Sequence, residues 1–241
     1  VAGDLERART LYRQAESVWQ QESKKHSHLA QMIQMDFVCT DAQIQLYERQ
    51  YKTAVQVFDR CLELRSLTRM MESYPPLHRA RGMAYEGMSD LLKATDAYTT
   101  SIREYELMRS SYSVAERANF FRTGPIRKAY WGLIRIWAKR TAESGKEEDF
   151  LVTLQSTERM RSRQFGELVA PQAEAVMPLE RLRTLRSQLG PDTVVLNYTL
   201  MDETIVLLAF DKERYKTVVI PYNGKEFLQQ LSAVAEMLAD A

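Results

Sequence analysis

Few residues of this chain could do nucleophilic or metal chemistry. They are two cysteines, Cys39 and Cys61, and three histidines, His26, His28 and His78. A cysteine nucleophile needs a nearby base or cation to hold it as the thiolate. Cys39 and Cys61 sit on helical patterns and lack the Cys-x-x-Cys spacing of redox and zinc motifs. The expectation is a pair of buried, reduced thiols, which suits a cytoplasmic location. His26 and His28 are two residues apart, which on a helix points them about 200° from each other. Cys39 stands at no ligand spacing to either, so no metal site is expected. Asp202-Glu203 pairs two carboxylates in a polar turn, where solvation accounts for them. Gly190-Pro191 precedes a strand pattern and no Gly-rich loop follows one, so no phosphate-binding turn and no cofactor are expected.

Composition excludes further classes. Lys plus Arg is 33 and Asp plus Glu is 32. A general nucleic-acid binder needs a basic surplus to displace counterions, and there is none. No apolar run approaches the roughly 20 residues that cross a bilayer, so no membrane partner is expected. Val1 to Arg9 is polar and helix-like, unlike a signal peptide. The opening valine reads as the start of an excised piece.

These residues sit in a helical framework with internal repetition. The segment QYKTAVQVFDRCLEL (Gln50 to Leu64) aligns with LLKATDAYTTSIREY (Leu91 to Tyr105). Ala54 then matches Ala94, Phe58 matches Tyr98, and Cys61 matches Ser101. Ala8, Tyr12 and Ala15 repeat the pattern; the copies stand 46 and 40 residues apart. Paired helices explain it: a small residue admits a neighbouring backbone, and a ring one turn on fills the space beside it. Gly82 and Ala42 lie 12 residues upstream of Ala94 and Ala54, as the small residues of the first helix of each pair. Gly87 and Arg49-Gln50 fall near the turns, and Pro75-Pro76 suits a helix start. Ser113 to Arg140 carries Phe120, Ile126, Tyr130, Leu133, Ile134 and Trp137 at helical spacing, broken near Gly124-Pro125. Phe150 to Val169 adds another helix, whose Glu158, Arg159, Arg161 and Arg163 could bind an anion or simply form a solvated face.

After Gly190-Pro191-Asp192 the pattern changes. Thr193–Leu200, Thr204–Phe210 and Tyr215–Ile220 read as an antiparallel meander with short turns. Lys225 to Ala241 reads as a helix with Phe227, Leu228, Leu231, Val234 and Leu238 on one stripe, packed on one face of the sheet. The apolar runs Val194–Leu196 and Ile205–Leu208 call for two covered faces. Side chains such as Val195, Leu207 or Val218 are therefore expected to be exposed where further chain belongs.

Gly82-x2-Tyr85 followed by Ala94-x3-Tyr98 resembles the tetratricopeptide repeat (TPR). Gln45 stands where that pattern has tyrosine, and the spacings exceed its usual period. The order of segments extends the resemblance. A helix with Glu158, Arg159, Arg161 and Arg163 leads to Leu189 to Tyr198, similar to proteins in which such repeats precede a CHAT domain, a caspase-like domain of cysteine-peptidase type. The fold implied is mostly α: a TPR-like antiparallel helix-pair solenoid, then a small antiparallel β-meander plus helix opening a caspase-like α/β domain. Residues 1–170 would be the repeats, 171–190 a linker or helix, and 191–241 the first part of the CHAT-like domain.

That family is expected to use a His–Cys dyad on later strands. No histidine follows His78 and no cysteine follows Cys61, so no catalytic residue carries over. The function implied is a regulatory, protein-binding arm, with a non-catalytic repeat scaffold as the alternative. The expected partners are a protein or peptide in the repeat groove and the remainder of the CHAT domain, with self-association through a sheet edge. Asp36, Gln43, Arg79 and Glu86, off the packing faces of the first helices, are the partner-contact candidates.

Overall fold

The computed structural model describes residues 2–22, 27–68, 74–109, 125–169 and 177–223. His26, Phe120 and the expected helix Lys225–Ala241 lie outside them. Eight helices and three strands occur among the described residues: α1 (Ala2–Glu22), α2 (Ser27–Tyr47), α3 (Tyr51–Thr68), α4 (Pro75–Gly87), α5 (Leu91–Arg109), α6 (Pro125–Ser144), α7 (Glu147–Val169), α8 (Leu179–Ser187), β1 (Val195–Leu200), β2 (Thr204–Phe210) and β3 (Tyr215–Pro221). The chain divides into two compact units, Val1–Gly132 and Leu133–Ala241, and the division falls inside α6.

In the first unit the helices pack as adjacent pairs, α2 with α3 and α4 with α5. The turns are three residues long and built alike. Arg49 and Ser89 adopt left-handed backbone with φ of 62° and 61°. The Gln50 N–H then reaches the Gln45 carbonyl at 2.9 Å, and the Asp90 N–H reaches the Tyr85 carbonyl at 3.0 Å. This closure satisfies carbonyls that a helix end leaves open. Asp90 also accepts the Lys93 backbone N–H at 3.2 Å, which holds its carboxyl below the ordinary range and caps α5.

The small–ring–small pattern has a concrete meaning here. Ala54 and Ala94 are fully buried, and so are Phe58 and Tyr98. The Tyr98 ring lies directly on Gly82 of α4, where an added Cβ would stand 3.0 Å from it. The same ring covers Gly132 of α6, where a Cβ would overlap it outright. Tyr51 covers Gly87 in the same manner. At the third position of the pattern, the Ser101 hydroxyl donates to the Pro75 carbonyl at 2.8 Å and ties α5 to the start of α4.

In the second unit α7 runs back along the end of α6. The Thr141 and Thr153 hydroxyls meet at 3.0 Å, and Asp149 takes Arg140 at 3.1 Å and Ser144 at 2.7 Å. The sheet is the expected meander in the order β1-β2-β3. Its register pairs Tyr198 with Leu207 and Leu207 with Val218. On the inner face, Phe150 of α7 stacks on Tyr215 at 4.8 Å and meets Phe210 edge-on at 5.5 Å. Arg186 of α8 is buried beneath this cluster. It donates to the Asp211 carbonyl at 2.9 Å and to Glu147 at 2.6 Å, and its guanidinium lies 5.0 Å from the Tyr215 ring centre. The Tyr215 hydroxyl donates to the Gly145 carbonyl at 2.7 Å.

The expected set of exposed strand residues is corrected in part. Val195 shares the inner face with Phe210 and Tyr215, because its register partner is Phe210. Leu207 and Val218 do lie on the outer face, half-buried. The residues that stand out on that face are Leu196, Tyr198, Leu200 and Ile220, between 40% and 65% exposed. On β1 the buried side chains are polar, Asn197 and Thr199. The strand is thus polar inward and apolar outward.

Two substitutions test this account. Ala94→Leu overpacks a fully buried site and should cost about 1–3 kcal/mol, read as a lower denaturant midpoint. An unchanged midpoint would refute the helix-pair register. Gly145 has φ of 62° and open space around it, so Gly145→Ala meets no clash. It should still cost about 1 kcal/mol from the left-handed backbone alone, with the denaturant slope unchanged.

Candidate functional site

The four partner-contact candidates do not form one site. Asp36 is exposed, with Arg65 at 3.7 Å, and Gln43 is exposed. Arg79 donates to the Met83 sulfur at 3.2 Å, and Glu86 accepts the Tyr98 hydroxyl at 3.0 Å. Glu86 therefore positions the ring that the helix packing depends on. The 40-residue repeat explains the scatter. It maps Asp36 and Gln43 onto positions 76 and 83, three residues out of step with Arg79 and Glu86.

The cysteine expectation is overturned. Cys39 of α2 and Cys61 of α3 are joined by a disulfide, with Cα atoms 5.2 Å apart, and no free cysteine is present. The physical reason is hairpin symmetry. Each cysteine lies 11 residues from Gln50 in the turn, so two antiparallel helices bring them opposite one another. Both are buried in a core of Met35, Ala42, Leu46, Ala54, Phe58, Leu77, Ala80 and Ala84. The cysteine argument for a cytoplasmic location no longer holds. His78 pairs with Glu104 at 3.3 Å, with both side chains mostly buried. Among the described residues no cluster of three or more metal-ligating side chains occurs, and no helix is long and apolar enough to cross a membrane.

The Glu158 cluster serves the sheet. Glu158 accepts from Asn197 of β1 at 2.7 Å and from Arg161 at 3.0 Å, and Arg161 also donates to the Tyr198 carbonyl. Arg163 is buried. Two members of the cluster thus dock β1 on α7, and the guanidinium of Arg161 occupies part of the β1 edge.

One cleft of the first unit was not singled out by sequence. It lies among α1, α2 and α3 and encloses about 620 Å³. Tyr12, Glu16 and Trp19 enter from α1, Phe37 and Asp41 from α2, and Arg60 from α3. Tyr12 and Phe37 meet edge-to-face at 5.6 Å. Burial, and then the charges of Glu16 and Asp41, push the Tyr12 phenol up to about 12. The positions 12, 16 and 19 share one helix face, a signal available in the sequence.

Fold and site define a protein of stacked helix pairs with a small antiparallel sheet appended. Comparisons with protein-family models, with curated proteins and with solved structures returned no match.

The cross-link yields a measurable consequence. Thiol titration of the unfolded, unreduced chain should find no thiol, and two after reduction. The bond spans 22 residues, so reduction should lower stability by about 3 kcal/mol. Two titratable thiols before reduction would refute the pairing.

Proposed function

We propose that the chain is the protein-binding helical arm of a TPR–CHAT protein and carries the opening strands of its caspase-like domain. The observation that supports this best is the outer face of the sheet. Leu196, Tyr198, Leu200 and Ile220 form an apolar surface on the side away from α7. Contiguous apolar surface of this kind marks a place where other protein belongs, and strands of a larger α/β domain expect both faces covered. The resemblance in segment order from Glu158 to Tyr198 supports reading that domain as CHAT-like. In this reading the arm binds a protein partner and controls a peptidase whose His–Cys dyad lies on later strands.

The test compares this 241-residue chain with one extended by the downstream coding sequence. Leu196→Lys with Tyr198→Lys should change the stability of the 241-residue chain by less than about 0.5 kcal/mol, since both residues are exposed. In the extended chain the same pair should cost several kcal/mol through burial of charge, on the order of 3 or more. The extended chain should also carry one cysteine that reacts with a peptidyl electrophile. Equal tolerance of the lysines in both chains, with no reactive cysteine, would leave a non-catalytic helical scaffold.

A further inference from the structure

We propose that the cleft among α1, α2 and α3 takes a basic side chain, lysine or arginine, presented by a partner polypeptide. The inference rests on the reading of the helical half as a protein-binding arm and names the chemistry of what it binds. Three rings line the cleft, Tyr12, Trp19 and Phe37. Aromatic faces attract cations through their quadrupoles, and a tryptophan face does so best. Two carboxylates, Glu16 and Asp41, line the same space.

Among the described residues outside the lining, Arg9 is a cation that feels the charge of Asp41. Arg9 is held by Glu48 through both its Nε and a terminal nitrogen. Among the described residues the hydrogen bond to the Asp41 carboxylate comes from a neutral amide, that of Gln45, at 3.3 Å. Glu16 makes no ion pair among the described residues. Arg60 also lines the cleft, so the charged lining among the described residues is two carboxylates against one guanidinium, a net charge of −1. An anionic ligand would meet that surplus. Burial is the larger cause of the raised Tyr12 pKa, and the charges of Glu16 and Asp41 add to it. At about 620 Å³ the cleft exceeds one side chain, so the flanking backbone of the partner enters with it.

The test uses 5-fluorotryptophan in the whole 241-residue chain. Its three tryptophans, Trp19, Trp131 and Trp137, give three fluorine signals, and Trp19→Phe assigns the one from the cleft. The probe is an acetylated, amidated eight-residue peptide with two arginines among alanines, beside a twin with glutamate in place of arginine. The arginine peptide should shift the Trp19 signal in a saturable way while the other two stay in place, and the glutamate twin should not shift it. Glu16→Gln with Asp41→Asn should weaken the arginine peptide at least about tenfold. Unmoved Trp131 and Trp137 signals report that this variant is folded. A Trp19 signal that ignores the arginine peptide, follows both peptides equally, or responds equally in the variant overturns the proposal. The downstream-domain experiment involves none of these residues, so the two readings fail separately.

Discussion

The first unit depends on one contact, a tyrosine ring lying flat on backbone. Tyr98 covers Gly82 on one helix and Gly132 on another. A ring can approach a helix this closely only where no Cβ intervenes, so two glycines and one aromatic fix the spacing of three helices together. The hydroxyl of the same ring is anchored by Glu86. Ala94, one turn before the ring, lets α5 lie against α4 in the first place. The left-handed turn at Ser89 then sets the angle at which the pair closes.

The sheet is held by a different logic. Its inner face meets α7 and α8 through a mixed layer of rings and charge: Phe150, Phe210 and Tyr215 with Arg186 beneath them. Arg186 is almost wholly buried, and its charge is met by Glu147 and the Asp211 carbonyl. A buried guanidinium adds little net stability but penalises every arrangement that leaves it unpaired. The geometry of the β2–β3 turn is therefore tied to the first turn of α7. Asp211 reinforces it by accepting the backbone N–H groups of Glu213 and Arg214, which holds its carboxyl below the ordinary range.

What the sequence disclosed follows from where packing limits residue size. Gly82, Ala94 and Tyr98 were legible because close packing of ring on backbone restricts residue size there. The Cys39–Cys61 bond was hidden from a search along single helices; it becomes visible only when positions are mirrored through the Gln50 turn. The α1–α3 cleft was hidden for a related reason. Tyr12 matches the repeat ring in the sequence, and Glu16, Trp19, Phe37 and Asp41 acquire meaning only after three helices converge. On β1 the alternation of Asn197 and Thr199 with Leu196, Tyr198 and Leu200 is plain in the sequence. Its direction is not, because Glu158 on a distant helix decides that the polar side turns inward.

The disulfide between α2 and α3 has a mechanical consequence. A helical array pulled from its ends unravels pair by pair and lengthens with each pair released. Cys39 and Cys61 short-circuit that path, since tension passes through the sulfur bridge and leaves the 22-residue span between them slack. Fully extended, such a span would add about 75 Å of contour. Under load the cross-linked chain is therefore shorter than the reduced one by that span.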